Sequence, residues 1–379
     1  MKDEDLKVVI LHNIITPYKT ILFNCLDEYI KNLIIIYIGE TEHNRDWIIN
    51  LEELKHNYEI IFKGCIENNG TAKQILETLK MLCKHDPQVL IIAGISYPAF
   101  IVGLFWAKMK RRKTILWSAS TEYDRDRNWY KESIKKIIIR QFDAANVYGT
   151  KARDYLVKLG MANEKIKIIG NVTDNDYFYA VSRISETEKQ RIKKEIGLNK
   201  KVMLYVGRFS YEKNLKLLID SFVESQRQHN NDWCLWMVGN GPLKIELKKY
   251  INKRNADNII KMTEFIQYKS IPKVYAVSDV LILPSVSEPW GLVVNEAMAC
   301  GLPILVSKQC GCYPDLIREG LNGYSFDAFD KNDVKDKINK ILNKPEEILR
   351  AMGEESRRII SNYTPGNAAK VVVKTIKEL

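Results

Sequence analysis

The sequence of 379 residues lacks the hallmarks of several protein classes. No proline-, glycine- or serine-rich tract and no solenoid repeat is present, which argues against a long disordered segment and a repeat fold. Seven scattered cysteines, an odd number, argue against a disulfide framework and for a reducing compartment. Cys310 and Cys312 have no second pair or nearby histidine to complete a zinc site, so we expect no bound metal there.

A secretory signal and an uninterrupted apolar span are also missing. The start, MKDEDLKVVILHN, is acidic and has no basic region or small-residue cleavage site, so a cytoplasmic chain is expected. Residues 89–107 carry no charge, but Gly94 and Pro98 interrupt them. Because proline is tolerated in a first helical turn and not later, the segment predicts a buried strand at 89–93 and a buried helix at 99–110 instead of a membrane span.

Positive charge is concentrated in one segment. The whole chain has a net charge of +11, and residues 108–140 alone hold 11 basic and 4 acidic residues, a local +7. The end of this segment predicts a helix whose apolar face comprises Ile134, Ile137, Ile138 and Phe142, with the basic residues turned away from it. The basic face of this helix is either solvated or in contact with an anionic acceptor or anionic lipid. Contact with lipid would place the chain peripherally at the inner face of the plasma membrane. No nucleic-acid-binding motif accompanies the charge, so no nucleic-acid partner is expected.

Short aliphatic runs alternate with helical patterns, as is typical of parallel sheets covered on both faces. The chain exceeds the roughly 250–300 residues that one core supports, so two domains are expected. The first series of predicted strands covers residues 7–13, 33–39, 58–62, 89–94, 114–118 and 145–149. The second covers residues 202–207, 234–239, 280–284 and 303–307. We therefore predict two doubly wound Rossmann-like α/β domains that face a cleft.

Ligands of such sheets bind at the carboxyl ends of the strands. In VGRFSYEKN, Arg208 and Lys213 stand before a predicted helix. Two cations at a helix N-terminus are unfavourable because the helix dipole is positive at that end. A bound diphosphate would neutralise them, so these residues predict a diphosphate site. The alternative is that both side chains simply face solvent. In VGNGPL, Gly239 and Gly241 allow close approach of a ligand to the backbone, although a tight turn without a ligand is the alternative.

The stretch SEPWGLVVNEAMACGLP holds two carboxylates eight positions apart. Glu288 precedes the predicted helix, and Glu296 lies about 7–8 Å further along its axis. The N–H groups of Gly291, Leu292 and Val293 can hold phosphate, and a carboxylate can accept both hydroxyls of a sugar diol. A capping role accounts for Glu288 alone and leaves Glu296 unexplained.

The segments GRFSYEKN, VGNGPL, LPSVSEPWGLVVNEAMACGLPILVS and DLIREGLNGYSF, in this order and spacing, resemble the nucleotide-sugar-binding domain of glycosyltransferase family 4. Members are retaining enzymes of the GT-B fold with an E-x7-E motif. The resemblance covers residues 198–330, and NVTDNDYF is similar to the interdomain segment of the family. It implies an acceptor-binding domain at 1–180, a nucleotide-sugar domain at 181–355 and a C-terminal helix at 356–379 that crosses back to the first domain.

The resemblance also implies roles for the residues above. Arg208 and Lys213 would neutralise the donor diphosphate in place of a metal, Glu288 would face the transferred sugar, and Glu296 would hold the ribose hydroxyls. The base would lie between the loop after Val238, which contains Gly239 and Gly241, and the segment TEFIQ, which contains Phe265.

The sequence departs from the family pattern in one respect. Many family members have a histidine just after a central strand of the first domain, near the reacting sugar, whereas TILWSASTEYDRDR (114–127) contains none. Glu122 or Ser118 would occupy that neighbourhood, and His12 is interpreted as structural or acceptor-lining. The two Asp-x-Asp triplets, at 124–126 and 174–176, match a metal-binding motif of another glycosyltransferase fold, but neither has the right context, so no metal or cofactor is expected.

The predicted function is therefore that of a retaining, metal-independent glycosyltransferase. It would move a hexosyl or related sugar from a UDP-sugar, or alternatively a GDP-sugar, to a glycan or lipid-linked acceptor in surface polysaccharide or glycolipid assembly. Two alternatives stay open: a catalytically inactive donor-binding partner subunit, motivated by the missing histidine, and a Rossmann-type oxidoreductase, which lacks the dinucleotide fingerprint after its first strand.

Overall fold

The computed structural model describes residues 6–43, 50–124, 128–198, 200–229 and 232–379. Within them the strands are β1 (Lys7–His12), β2 (Asn32–Thr41), β3 (Tyr58–Cys65), β4 (Val89–Ile92), β5 (Lys113–Ser118), β6 (Ala144–Val147), β7 (Ile166–Ile168), β8 (Lys201–Val206), β9 (Trp233–Val238), β10 (Ile260–Thr263), β11 (Val280–Leu283), β12 (Ile304–Ser307) and β13 (Gly323–Phe326). The helices are α1 (Pro17–Asp27), α2 (Thr71–His85), α3 (Pro98–Met109), α4 (Trp129–Ile139), α5 (Thr150–Lys158), α6 (Asn175–Ser182), α7 (Glu186–Glu195), α8 (Leu215–His229), α9 (Lys244–Lys253), α10 (Ile271–Ala276), α11 (Leu292–Ala299), α12 (Lys331–Leu342), α13 (Glu346–Ile360) and α14 (Pro365–Lys377).

The chain divides into two compact units. Among the described residues, unit 1 comprises those up to Glu122, those from 128 to 172, and 364–379. Unit 2 comprises Tyr123, Asp124 and 173–363.

The first boundary falls before α6, earlier than the 180/181 expected from sequence. The reason is that Phe178 of α6 is fully buried in unit 2, in contact with the rings of Tyr268 and Tyr275. The second boundary separates α13 from α14, whereas the sequence analysis started the C-terminal segment at residue 356.

Unit 1 is built on a seven-stranded parallel sheet with the order β3-β2-β1-β4-β5-β6-β7. β1 pairs with β2 on one side and β4 on the other, so the strand order changes direction at β1. The strands read as continuous aliphatic runs because both faces are covered, and Leu11, Ile36, Leu90 and Leu116 belong to one buried cluster. The first α/β domain predicted from sequence is thereby confirmed.

The uncharged segment 89–107 splits as predicted. β4 is fully buried, and Pro98 occupies the first position of α3, where its missing N–H would have no intrahelical acceptor. None of the helices in the described parts of the chain has the length and apolarity that crossing a membrane requires.

The helix α14 belongs to unit 1. Thr364 caps it by accepting from the N–H of Asn367 at 3.1 Å. Thr375 donates to Asn146 of β6 at 2.8 Å, and Glu378 forms an ion pair with Lys167 of β7. These contacts fix the chain terminus against the last two strands of the sheet.

Unit 2 is built on a six-stranded parallel sheet with the order β10-β9-β8-β11-β12-β13. β8 pairs with β9 and β11, so it repeats the central position that β1 has in unit 1. The residues of β9 and β11 are all buried, which explains their unbroken apolar sequences. The second predicted α/β domain is thereby confirmed, and the loops after β8, β9 and β11 leave the same edge of this sheet.

Candidate active site

The loop after β8 carries both predicted cations. The buried Tyr205 donates its hydroxyl to the carbonyl of Arg208 at 2.8 Å, which fixes the backbone while the Arg208 side chain stays exposed. Lys213 ends a short 3-10 turn, and Asn214 follows in the left-handed conformation, with φ 53°. The side chain of Asn214 donates to the carbonyl of Ala328 at 2.7 Å, so the turn into α8 is held from two sides.

The loop between β11 and α11 is held by the segment after β12. Gly311 donates to the carbonyl of Glu288 at 2.8 Å, and Cys312 donates to that of Trp290 at 3.1 Å. A Cβ atom at position 311 would lie 1.8 Å from the carbonyl oxygen of Pro289, so only glycine allows this approach. The backbone around Glu288 is therefore fixed by the Cys310-Gly311-Cys312 segment.

Lys213 and Glu288 form an ion pair between these two loops. Their side chains are only 14% and 17% exposed. Burial lowers the pKa of Lys213, but the charge and hydrogen bond of Glu288 more than offset this, and the pKa rises above its ordinary value. Val286 also donates to the carbonyl of Glu212 at 2.9 Å, so the loops are joined by backbone as well as side chains.

Glu296 lies on α11, about one turn after the first residue of that helix, whereas Glu288 lies in the loop before it. Its carboxylate accepts from the hydroxyl of Tyr275 on α10 at 2.7 Å. Burial raises the pKa of Glu296 to about 7, although the Tyr275 hydrogen bond lowers it. The group therefore changes charge near neutrality, and a ligand that donates hydrogen bonds to it would favour the ionised form.

The first turn of α11 contains the predicted amide donors. Gly291 precedes the helix with φ 100°, and a Cβ there would lie 2.8 Å from Leu283. Leu292 and Val293 open the helix, where backbone N–H groups have no intrahelical acceptor and the helix dipole favours an anion.

The glycines after β9 are required by the backbone around them. A Cβ at Gly239 would lie 1.9 Å from the carbonyl oxygen of Gly207, and one at Gly241 would lie 2.6 Å from that of Phe209. The β8 and β9 loops are thus in direct contact. Phe265 follows β10 and is 37% exposed, so its ring is available at the same edge of the sheet.

Glu122 belongs to unit 1, where its exposed carboxylate pairs with Lys158 of α5. Ser118, which is mostly buried at the end of β5, accepts from the N–H of Ser120. His12 is buried, its Nδ1 lies 3.0 Å from the carbonyl oxygen of Ile14, and burial lowers its pKa to about 3. A neutral, enclosed imidazole fits the structural role among those expected for His12.

Of the two Asp-x-Asp triplets, Asp126 lies outside the described residues. Asp174 accepts from the N–H of Tyr177 at 3.0 Å and so caps α6. That contact supplies a structural reason for the second triplet.

Sequence reasoning missed the buried polar contacts of two helical residues, one in each unit. Tyr275 holds Glu296, but nothing in IPKVYAV signals a pairing with a residue 21 positions away. Lys19 in α1 is 2% exposed, and its Nζ lies 4.8 Å from the ring centroid of Trp117 and 4.5 Å from that of Tyr148. Burial lowers the pKa of Lys19 to about 7. Proximity to the end of β1 was the available signal.

Residues 186–359 match the family model of glycosyl transferases group 1. Anabaena HepE, crystallised with UDP and glucose and also with UDP-glucose, superposes with a TM-score of 0.79 over 99% of this chain and 100% of its own, at 18% identity. This level of identity indicates a common fold. The chain thus has the GT-B fold of HepE, and its second half is similar to glycosyl transferases group 1.

Two curated relatives of this GT-B protein illustrate the sequence match. Spore coat protein SA of Bacillus subtilis is 31% identical over 178 residues, which are 45% of this chain and 47% of that protein. Mannosylfructose-phosphate synthase of Agrobacterium fabrum is 26% identical over 306 residues, which are 77% of this chain and 63% of that protein. The chain spans about half the length of the first curated relatives that it matches.

The predicted resemblance to GT-B glycosyltransferases is confirmed by these matches, as is the fold. Assignment to family 4, the retaining mechanism and the roles of individual residues stay predictions.

Proposed function

We propose that this GT-B protein is a retaining, metal-independent glycosyltransferase that moves a hexosyl or related sugar from a UDP-sugar to a glycan or lipid-linked acceptor. The observation that carries the proposal is the mostly buried ion pair of Lys213 and Glu288 at the carboxyl edge of the unit 2 sheet. Glu296 stands on the helix that this edge leads into. Surface polysaccharide and glycolipid assembly are the processes that such a transfer would serve.

The diphosphate of the donor would lie at the first turn of α11. An ammonium group has three donors, so Lys213 can serve Glu288 and still donate to phosphate oxygens. Arg208 adds a second cation, and the amides of Leu292 and Val293 add the positive end of the helix dipole. These groups supply the charge neutralisation that a divalent cation supplies in other transferases, and they support a metal-independent reaction.

The nucleoside would lie on the other side of that turn. The ionised carboxylate of Glu296 can accept hydrogen bonds from both ribose hydroxyls. The base would lie against the exposed ring of Phe265 and the backbone after β9, from which Gly239 and Gly241 project no side chain. UDP is favoured over GDP because the structural relative HepE was crystallised with UDP and UDP-glucose.

Glu288 would then face the transferred sugar. In a front-face retaining transfer, the bond between the anomeric carbon and the diphosphate oxygen breaks while the acceptor oxygen bonds to the same face of that carbon. The acceptor proton passes to the departing phosphate oxygen, so no protein base is obligatory and Glu122 has an assisting role at most. Lys213, Arg208 and the α11 amides stabilise the charge that develops on the diphosphate.

A thermal-shift titration with UDP, GDP, ADP and NAD, each with and without EDTA, tests the donor site. The proposal expects stabilisation by UDP that EDTA does not change, with little effect of NAD. The Lys213→Met variant should lose the UDP response, and the Lys216→Met variant, which alters an exposed lysine of the same helix region, should keep it. A response to NAD alone, or a UDP response that EDTA abolishes, contradicts the proposal.

Turnover separates the proposal from an inactive donor-binding subunit. UDP release from UDP-sugars is measured over a panel of glycan and lipid-linked acceptors. The proposal expects at least one acceptor to raise the rate of UDP release above the rate without acceptor. UDP binding without UDP release over the whole panel would instead support the partner subunit. NMR of the product then shows whether the anomeric configuration is retained.

A further inference from the structure

The helix α4 turns apolar side chains outward. Trp129 is 81% exposed, Ile137 65%, Ile134 54% and Tyr130 46%. The buried side of the helix is formed by Ile139, with Phe142 just beyond the helix end. The helix therefore does not bury the apolar face that its sequence pattern predicts, because Ile134 and Ile137 point away from the core.

The exposed apolar residues form one stripe. At about 100° per residue, Tyr130, Ile134 and Ile137 fall within about 60° of one another around the helix axis. Ile139 lies on the opposite side, where it packs into the unit 1 core. Trp129 stands at the first helical position, about 80° to the side of the stripe on which Lys136 lies. A contiguous apolar strip of this kind on a surface helix indicates an interaction site.

Lysines flank the stripe on both sides. In the same projection, Lys131 lies on one side of it and Lys136 on the other. Both side chains are exposed, and neither forms an ion pair within the described parts of the chain. An apolar strip bordered by lysines, with an aromatic residue at its end, is the pattern of a helix that lies in a membrane interface.

The neighbouring crossover helix repeats the pattern. Phe105 and Met109, one turn apart on α3, are 59% and 76% exposed. Lys110 and Arg111 follow directly at the end of that helix. Because α3 joins β4 to β5 and α4 joins β5 to β6, right-handed crossovers place the two helices on the same face of the sheet.

We propose that the outer face of α4, Trp129 to Ile137, docks on an anionic lipid surface with Tyr130, Ile134 and Ile137 inserted among the lipid chains and Lys131 and Lys136 at the headgroups. The lysines select this occupant, since a second copy of the same basic surface would meet like charge, whereas anionic lipid complements it. The inference is independent of the proposed transferase activity, because it uses no residue of the donor site.

Vesicle co-sedimentation tests the proposal. The full chain is mixed with vesicles of phosphatidylcholine alone or of phosphatidylcholine with phosphatidylglycerol, at low and high salt. Binding is expected only with the anionic lipid, and it should weaken as salt increases. The affinity of the Ile134→Ser/Ile137→Ser variant for these vesicles should be at least about ten-fold lower, because the variant lacks apolar groups that would move from water into the membrane. Both positions are exposed, so this variant keeps the core intact.

The matched control is Ile245→Ser/Leu321→Ser, which removes exposed aliphatic side chains of unit 2 that are 72% and 61% exposed. It should bind like the wild type. Brominated phosphatidylcholine included in the anionic vesicles should quench tryptophan fluorescence, and Trp129→Phe should reduce that quenching.

Three outcomes overturn the inference. The first is absence of binding to anionic vesicles. The second is loss of binding in Lys131→Gln/Lys136→Gln with full binding in the Ile134→Ser/Ile137→Ser variant, which would mean adsorption by charge without insertion. The third is a dimer in sedimentation velocity that the isoleucine variant dissociates, without vesicle binding, which would mean that a second copy covers the face.

Discussion

The Nζ of Lys213 and Oε2 of Glu288 form an ion pair although the residues are 75 positions apart in the chain. The pair joins the loop after β8 to the loop before α11, and each loop is fixed separately by backbone hydrogen bonds. Because the partner charge keeps the pKa of Lys213 above its ordinary value, the cation persists over the physiological pH range. A fixed cation and a fixed carboxylate are thereby presented together at the carboxyl edge of the sheet.

Replacing Lys213 by methionine should lower both stability and activity. The change leaves the Glu288 carboxylate mostly buried without its cation, which destabilises the fold by about 3 kcal/mol. Thermal unfolding measures the first effect, and UDP release with saturating acceptor measures the second. In the double variant Lys213→Met/Glu288→Met, which removes both charges, stability should return while activity stays low. Activity that returns with stability would show that Lys213 acts only through the fold.

Replacing Glu288 by glutamine should affect turnover more than stability. Glutamine has the same shape and still accepts from Lys213, but it removes the charge that offsets the burial of that lysine, so stability should fall less than in Lys213→Met. Turnover should fall by about 100-fold or more if the carboxylate stabilises charge at the reacting sugar. Glu246→Gln, at an exposed carboxylate paired with Lys216, is the control. Nearly normal turnover of Glu288→Gln would remove Glu288 from the catalytic residues.

Most strands followed from the sequence pattern, and the exceptions share a cause. The ten aliphatic runs that predicted strands all form strands within a few residues of the expected bounds. The strands that were missed are β7, β10 and β13, and each lies at an edge of its sheet. They are short and contain polar residues such as Lys167, Lys261 and Ser325, because an edge strand has less need of apolar residues on both faces.

The candidate site was predictable by residue type and position but not by partner. Strand ends and helix starts located Lys213, Glu288 and Glu296, since local turn chemistry is visible in the sequence. The contacts of Lys213 with Glu288 and of Glu296 with Tyr275 join distant segments, so only the packed sheet reveals them. The outward orientation of Ile137 likewise depends on how α4 rests on its sheet, which helical spacing alone does not specify.

Replacing Gly239 by alanine should disrupt the contact between the β8 and β9 loops. The new Cβ would lie 1.9 Å from the carbonyl oxygen of Gly207, so backbone must move, with a loss of about 2 kcal/mol or more. UDP binding should weaken in parallel. Gly366→Ala is the control, since no atom lies within 4 Å of its Cβ position and alanine favours its helix. Equal melting temperatures of the two variants would show that the contact between the β8 and β9 loops does not require glycine at position 239.

Glu296 should make the stability of the protein pH-dependent. Its pKa is about 7 in the fold and 4.5 in the ordinary state, so the folded chain holds this proton more tightly. The stabilisation is therefore fully present below about pH 4.5 and is lost as the pH rises through about 7. It amounts to about 2 kcal/mol when partial solvent screening is allowed for. Because glutamine cannot ionise, the melting temperature of Glu296→Gln should increase relative to that of the wild type as the pH rises from about 4.5 to about 7. A constant gap between the two would contradict the shifted pKa.

The same carboxyl should make donor binding pH-dependent in a way that reports on the ribose. Only the ionised form of Glu296 accepts from both ribose hydroxyls, so UDP affinity should rise as the pH increases through about 7. The diphosphate of UDP also titrates, and 2′-deoxy-UDP corrects for this because it has the same phosphates and lacks one hydroxyl. The ratio of the two dissociation constants, measured by calorimetry between about pH 6 and pH 8, should therefore increasingly favour UDP. In Glu296→Gln the ratio should be small and independent of pH. A ratio that varies equally in both proteins would place the ribose elsewhere than at Glu296.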